Sequence, residues 1–422
     1  MSTSTNVVRL RQPEEIDDPL TEVLRAGARR LLAQAVELEA EAFLAGMRDL
    51  KLPDGRDRLV RHGHGPVRMV QTGIGPVAVA RVKIRDRGAT SEADRVRFSS
   101  SILPRWARRT RSLDALLPVL YLRGVSTGDF QEALSALLGR NAPNLSPSVI
   151  ARLTAEWQAE YERWQARDLS ARRYVYVWAD GVYLQARMEE HAECMLVLIG
   201  ATPEGRKELV GFQVGVRESA QSWRELLVDV RRRGLAVAPE IAVGDGALGF
   251  WKALDEVWPT ARHQRCWLHK TANLLNKVPK SVQQAMKADL REVHGAPTRA
   301  AAETAIDIFA EKYGAKYAKA AECLTKDREA LLAFYDFPAE HWDHLRTTNP
   351  IESVFATVRH RTVRTKGARS PTTAKLMVFK LVIAASRTWR RLKGDNQLPK
   401  VMAGVTFRDG TEVTASPGHR AA

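Results

Sequence analysis

The segment at residues 174–269 constrains the fold of this chain more than any other part of the sequence. It opens with three apolar, strand-like runs at residues 174–188, 193–202 and 207–217, and the turn sequence TPEGR separates the second run from the third. A helix pattern (SAQSWRELLVDVRRRG), a strand (IAVGD), a second helix pattern (GALGFWKALDEVW) and a fifth strand near RHQRCWL follow. Three antiparallel strands followed by helix, strand, helix and strand predict an α/β domain.

Three acidic residues lie in or beside apolar segments. Asp180 is inside the run YVYVWADGVYL, Asp245 closes the strand IAVGD, and Glu352 opens the helix pattern NPIESVFATVRHRTVR. Each has an ordinary explanation, because the two aspartates precede glycine as in a tight turn, and Glu352 fits a capping box that begins at Asn349. Taken together, the three favour a shared divalent cation, since a buried carboxylate needs a partner.

The chain is strongly basic, which indicates a polyanionic partner. It has 65 Lys and Arg against 49 Asp and Glu, a net charge of +16. Nucleic acid is the first choice and an anionic membrane the second, but we find no basic amphipathic anchor and no apolar stretch of transmembrane length. Without an apolar secretory segment, and with only three cysteines, we expect a cytoplasmic, nucleoid-associated protein.

Two regions precede the α/β segment. Residues 1–94 combine an amphipathic helix with short alternating strands and would serve DNA binding or oligomerisation. Residues 95–172 have a helical pattern throughout, and two short helices joined by GRNAPNLS predict a helix-turn-helix DNA-binding domain, with plain helical packing as the alternative. A nearby basic cluster suits DNA phosphates and comprises Arg105, Arg108, Arg109 and Arg111.

The helix pattern that carries Glu352 is basic on its polar edge. At the helical spacing, Arg359 falls within about 20° of Glu352. The basic residues of this segment are Arg359, His360, Arg361, Arg364, Lys366 and Arg369. We expect them to hold a DNA end beside the acids, and a solvated basic face is the alternative.

Four strings carry a resemblance to a known family. WADGVYL, VGDGALGFWKAL, QRCWLHK and RTTNPIESVFATVRHRTVRTKG closely resemble the mutator-type transposases of bacterial insertion sequences, and the similarity covers nearly the whole chain. It implies a DDE recombinase: a DNA transposase that binds the terminal inverted repeats of an insertion sequence and catalyses metal-dependent strand cleavage and strand transfer. Asp180, Asp245 and Glu352 match the catalytic, metal-binding acids of that family.

The spacing of these acids sets the expected domain boundaries. Asp180 and Asp245 are 65 residues apart, whereas Asp245 and Glu352 are 107 apart, too many for a single crossover. We therefore predict a ribonuclease H-like catalytic domain at residues 173–269 and 346–395, interrupted by a helical insertion at residues 270–345. Residues 396–422 would form a C-terminal tail.

The expected chemistry uses two Mg²⁺ ions about 3.5–4 Å apart, with Mn²⁺ as a substitute. One ion would activate water or a DNA 3′-hydroxyl, and the other would stabilise the leaving oxygen. The partners would be double-stranded DNA with terminal inverted repeats and a target DNA. Joining two DNA ends favours a homodimer or a larger homo-oligomer.

Cys266 and His269 resemble half of a zinc site. Completing it would need His263 or His294, neither at convincing spacing. The family carries a Cys-x-x-His signature here, so the resemblance implies that the pair shapes the site or contacts DNA.

Two other classes of function stay open. A non-catalytic DNA-binding protein would keep the basic N-terminal half without needing all three acids. A structure-specific nuclease of ribonuclease H type would use the same acids but hardly the helix-turn-helix and the helical insertion.

Overall fold

The computed structural model describes residues 18–122, 147–184, 193–215, 217–246, 248–364 and 371–413. The chain divides into two units, Met1–Leu153 and Thr154–Ala422. The predicted helix before GRNAPNLS, the first of the helix-turn-helix, lies outside the described residues, whereas the one after it is described as part of a 19-residue helix, Pro147–Gln165. No helix within the described ranges combines the length and the apolar character needed to cross a membrane.

The N-terminal unit pairs one long helix with two small antiparallel ribbons. Its helix α1 is Pro19–Gly46, and its strands β1 to β4 are Leu59–His64, Arg68–Thr72, Gly75–Val79 and Val82–Asp86. β1 pairs with β4, and β2 pairs with β3. Apolar residues of α1 and of both ribbons form one core that includes Val36, Ala40, Val70 and Val77. The long helix and the short strands expected from the sequence are therefore confirmed, but Leu24, Leu31 and Leu38, which the helical spacing places on the apolar face, are exposed.

The expectation that helices begin at Arg95 is wrong for residues 95–110, which form irregular chain. All of these residues are described, and none is helical. Ser101 donates a backbone hydrogen bond of 2.6 Å to Glu39 on α1, and Leu103 is buried in the core of this unit. Successive serines and Pro104 disfavour a helix here, so the segment packs as irregular chain, and helix α2 begins only at Arg111–Leu122.

The second unit is built on a five-stranded mixed sheet in the order β7-β6-β5-β8-β9. Its strands are β5 (Tyr176–Leu184), β6 (Glu193–Ala201), β7 (Lys207–Gly215), β8 (Ile241–Gly244) and β9 (Arg262–Arg265). The first three are antiparallel neighbours, whereas β8 runs parallel to β5 and β9 parallel to β8. The antiparallel pairing of the first three strands, and the succession of strands and helices along the chain, are those that the sequence predicts.

Helices cover both faces of this sheet. They are α3 (Pro147–Gln165), α4 (Ala220–Arg232) and α5 (Leu248–Val257), with α12 (Asn349–Arg364) and α13 (Pro371–Ser386) later in the chain. On one face, α4 and α5 place Trp223 and Phe250 against Val177 of β5. On the other face, α12 packs against β5 and α13 against β7. Because both faces are covered, the strands are continuous apolar runs.

The chain between β9 and α12 is helical, as its sequence pattern predicts. Its helices are α6 (Trp267–Leu275), α7 (Lys280–Gly295), α8 (Arg299–Gly314), α9 (Ala318–Thr325), α10 (Arg328–Leu332) and α11 (Trp342–Leu345), with short 3-10 turns at Ala333–Asp336 and Ala339–His341. After α13 come the 3-10 turn Asp395–Gln397, α14 (Leu398–Met402) and a hairpin of β10 (Phe407–Arg408) and β11 (Thr411–Glu412).

One buried amide attaches this helical segment to the sheet. The side-chain nitrogen of Gln264 on β9 donates to the carbonyl of Leu331 at 3.0 Å, and its side-chain oxygen accepts from the backbone nitrogen of Phe334 at 2.9 Å. Trp267 donates to the same Leu331 carbonyl at 2.9 Å. Gln264 is fully buried, so each of these bonds is made away from water, where an unmade bond is costly.

We therefore expect Gln264→Met to lower the free energy of unfolding by roughly 1–3 kcal/mol, because it leaves a buried backbone donor unsatisfied. Chemical denaturation of the full chain measures the change. The exposed Gln221 on α4 provides the control, since Gln221→Met should stay within about 0.5 kcal/mol of wild type. Equal stability of the two variants would contradict this account.

Candidate active site

Asp180 lies within β5 and not in a turn. It pairs with Val197 of the antiparallel neighbour β6, and only 6% of it is exposed. Side chains alternate along a strand, so Asp180 shares a face with Trp178, whose indole donates to the carbonyl of His344 at 2.8 Å. Burial is the main cause that raises the pKa of Asp180 to about 7; the charge of His269 opposes this rise, and the charges of Asp245 and Glu352 contribute to it.

Asp245 follows β8 directly and lies beside β5. The parallel register pairs Gly244 with Ala179, which brings the next residue of each strand, Asp245 and Asp180, to neighbouring positions. Two side chains fix the backbone here: the indole of Trp251 and the guanidinium of Arg265 donate to the Asp245 carbonyl at 2.9 and 3.0 Å.

Glu218 is an acid of this site that the sequence analysis did not identify. It follows β7 and precedes Ser219, which caps α4. Ligand atoms of Asp180, Glu218 and Asp245 all lie within 4.8 Å of one another, and we call these three residues the acid group. The Glu218 Oε2 atom is buried and has no hydrogen-bond partner in the described part of the chain. Burial, followed by the charges of Asp245 and Asp180, raises its pKa to about 7.

Two glycines make room for Glu218. A Cβ at Gly181, next to Asp180 on β5, would lie 2.6 Å from the Glu218 carboxylate, and a Cβ at Gly249 on α5 would lie 2.3 Å from its carbonyl oxygen. Arg217, directly before it, has a φ of +59°, a region that few non-glycine residues adopt. The sequence signal that could have found Glu218 is an acid at the end of an apolar strand, just before a helix cap.

Glu352 lies in the first turn of α12, whose start differs from the predicted one. The carbonyl of Thr348 accepts hydrogen bonds from the backbone nitrogens of Ile351 and Glu352 at 2.8 and 3.1 Å. Thr348 is therefore the residue that caps the helix. The capping box that would begin at Asn349 does not explain why an acid stands at position 352. The Glu352 carboxylate groups with Cys266 and His269, with ligand atoms again within 4.8 Å of one another.

His269 adds the positive charge of this site. Its pKa is raised to about 9, first by a hydrogen bond with Cys266 and then by the charges of Cys266, Asp180 and Asp245, which together outweigh desolvation. One cationic ring faces several carboxylates, so the site still has an excess of negative charge. A further cation is the simplest way to balance it.

The donor set fits a hard divalent cation. Carboxylate oxygens are the ligands that Mg²⁺ and Mn²⁺ prefer, and the unpaired, buried oxygen of Glu218 is the kind of atom that a metal would satisfy. A zinc site is less well supported. The His263 ring nitrogen Nε2 lies 2.8 Å from the Asp255 carboxylate and the ring of His294 packs against Trp267, so neither completes a site with Cys266.

The predicted DNA-contacting residues fall into two sets. Arg105, Arg108 and Arg111 are exposed and Arg109 is half-buried, all in the N-terminal unit. Arg359 is exposed on α12. The side chains of His360, Arg361 and Arg364, and the whole of Lys366 and Arg369, lie outside the described part of the structure. DNA contact by all of these residues stays a prediction.

The chain is similar to known transposases over most of its length. The family model "Transposase, Mutator family" matches residues 1–391. The transposase of insertion sequence element IS6120 from Mycolicibacterium smegmatis is 49% identical over 298 residues, which cover 71% of this chain and 92% of the relative. That of IST2 from Acidithiobacillus ferrooxidans is 51% identical over 287 residues, covering 66% and 95%. That of IS1201 from Lactobacillus helveticus is 27% identical over 363 residues, covering 86% and 94%.

The family match covers the segments that carry the acids and the Cys-x-x-His pair. The chain belongs to the Mutator family of transposases.

Proposed function

We propose that this protein is a DDE transposase with a ribonuclease H-like catalytic core. It would bind the terminal inverted repeats of an insertion sequence and catalyse metal-dependent DNA cleavage and strand transfer. The observation that carries the proposal is the convergence of Asp180 and Asp245 with Glu218, and the influence of Glu352 on the pKa of Asp180, within a member of a transposase family. The order of the five strands supports the assignment of the core.

The acid group and Glu352 would hold two Mg²⁺ ions, or Mn²⁺ in their place. Bound ions supply Lewis-acid activation of the attacking oxygen and stabilisation of the leaving oxygen. The carboxylates must be ionised for this, so binding a cation displaces any proton on Asp180 or Glu218. His269 would keep a positive charge beside the site, where it favours the approach of a DNA phosphate.

DNA would reach the site along basic surface. Arg359 is on the same helix as Glu352, and the following basic residues at positions 360, 361, 364, 366 and 369 extend its charge. The arginines at positions 105, 108, 109 and 111 would add phosphate contacts from the N-terminal unit. The substrates are then double-stranded DNA with terminal inverted repeats and a target DNA. Synapsis of two ends would need a homodimer or a larger assembly.

We expect each of Asp180→Asn, Asp245→Asn and Glu352→Gln to reduce the rate of strand transfer by more than about 100-fold. Loss of a residue that only hydrogen-bonds to a metal ligand typically costs about 10–100-fold, and loss of a ligand itself should cost more. Joining of labelled DNA ends with matched inverted repeats, in Mg²⁺, measures this. Asp255→Asn removes an exposed acid that pairs with His263 and is the matched control.

The same assay separates the alternatives. A transposase joins ends, a nuclease only cuts them, and a DNA-binding factor does neither. Full strand transfer by all three variants would disprove the DDE assignment.

Glu218→Gln keeps the shape of the side chain and removes its charge. If Glu218 helps to hold the metal, the variant should need about 10–100-fold more Mg²⁺ for half-maximal joining. Glu225→Gln on α4 is the control, because that acid is exposed and accepts hydrogen bonds from Gln221 and Gln213. An unchanged Mg²⁺ dependence in Glu218→Gln would exclude this acid from metal binding.

The raised pKa of Asp180 predicts a pH-dependent stability of the metal-free protein. The folded-state pKa of about 7 exceeds the ordinary value of 3.8, so the ionised carboxylate opposes folding above pH 7 and this cost fades as the pH falls toward 4. Asp180→Asn should therefore melt at a higher temperature than wild type at pH 8 in chelator, and its advantage should shrink by pH 5. Asp49→Asn, at an exposed position, should follow wild type. An advantage of Asp180→Asn that is independent of pH would contradict this.

A further inference from the structure

Thr348 is a buried polar residue between the Cys-x-x-His pair and Glu352. Its exposed fraction is 0%. Its hydroxyl lies 3.1 Å from Glu352 Oε1, 3.4 Å from Cys266 Sγ and 3.5 Å from His269 Nδ1. A buried hydroxyl must find partners, and here all three of its neighbours are chemically active groups of the candidate active site.

The same residue holds Glu352 by both backbone and side chain. The Thr348 carbonyl accepts from the Glu352 backbone nitrogen at 3.1 Å, and the Thr348 hydroxyl donates to the Glu352 carboxylate. Because both the backbone nitrogen and the carboxylate of Glu352 are hydrogen-bonded to Thr348, the carboxylate has little freedom to rotate away from the site. That restriction is what a metal ligand needs, because ligand geometry tolerates only small errors.

Cys266 connects Thr348 to the strand that ends at Asp245. Its backbone nitrogen donates to the carbonyl of Gly244 at 2.7 Å, and its Sγ accepts from the Thr348 backbone nitrogen at 3.3 Å. Cys266 itself is 1% exposed. One residue therefore fixes the end of β8, which carries Asp245, relative to the start of α12, which carries Glu352.

The Thr348 hydroxyl has a single hydrogen, and the Glu352 carboxylate is its nearest acceptor. Cys266 Sγ accepts from the Thr348 backbone nitrogen. His269 hydrogen-bonds with Cys266, and its Nδ1 lies 3.5 Å from the Thr348 hydroxyl. The four residues are therefore linked to one another without a metal at Cys266.

We infer that Thr348 is a positioning residue for Glu352, and that Cys266 and His269 act through it to set the geometry of a metal ligand, not to bind zinc or DNA. The inference rests on the proposed function, because it assumes that Glu352 binds the catalytic cation. It assigns a physical role to the Cys-x-x-His pair of this chain.

The test compares Thr348→Val, which keeps the branched shape without the hydroxyl, with Thr348→Ser, which keeps the hydroxyl. Binding of Mn²⁺ to the full chain, measured by titration calorimetry, should weaken about 10–100-fold in Thr348→Val and stay near wild type in Thr348→Ser. In the joining assay, Thr348→Val should lower kcat with little change in the KM for DNA. Thr325→Val is the matched control, because that hydroxyl bonds only to carbonyls of its own helix, at Ala321 and Glu322.

Cys266 supplies a second pair of variants if Thr348→Val folds poorly, as judged from its thermal melt. Cys266→Ser keeps an acceptor for Thr348, whereas Cys266→Ala does not. The serine variant should bind Mn²⁺ more tightly than the alanine variant. Equal affinities in the two would count against the inference.

Three results would overturn the inference. The first is that Thr348→Val binds Mn²⁺ and joins DNA as well as the wild-type protein does. The second is that Thr348→Val has a raised KM for DNA with an unchanged affinity for Mn²⁺, which would indicate that Thr348 contacts DNA. The third is one zinc ion per chain in the purified protein. Glu352→Gln shows whether the inference about Thr348 or the proposed metal site has failed. If Glu352→Gln binds Mn²⁺ as tightly as wild type does, Glu352 is not a metal ligand and the proposed function itself is wrong on this point.

Discussion

The burial of the Asp180 carboxylate in the middle of a strand is the constraint on which the rest of this site depends. β5 is paired on both sides and covered on both faces, so the charge of Asp180 must be met by other groups of the protein or by a bound cation. The neighbouring strand brings Asp245 to it, the chain after β7 adds Glu218, and His269 supplies one opposing charge. The acids outnumber the opposing charge, and the proposed cation would balance the remainder.

Part of this arrangement could be predicted from the sequence, because the positions of the strands along the chain follow from local patterns. Apolar runs with β-branched residues identify β5, β6 and β8, and the parallel pairing of β5 with β8 then brings Asp180 and Asp245 together. Residues 95–110 were mispredicted because their apolar residues, spaced by serines and a proline, resemble helix spacing while making core contacts as irregular chain. Local propensity could not reveal the long-range contact with Glu39.

The roles of Glu218 and Thr348 were not predicted, for a common physical reason. Each has a local role that explains it fully, Glu218 as an acid before a helix and Thr348 as a residue in a loop before a proline. Their second role comes only from partners distant in sequence, such as Gly181 and Gly249 for Glu218 and Cys266 for Thr348. A sequence pattern shows which residues recur at a fixed separation along the chain. Contacts between residues far apart in sequence occur at no fixed separation, so no pattern reveals them.

The long helical segment between β9 and α12 has a consequence for the time at which the site is completed. Glu352 is 172 residues after Asp180, and during synthesis a chain folds progressively from its N-terminus. Strands β5 to β8 can pair, and bring the acid group together, before α12 has been synthesised. A nascent chain therefore holds the acid group without Glu352, and on the proposed function the capacity to break DNA would arise only after nearly the whole protein has been made.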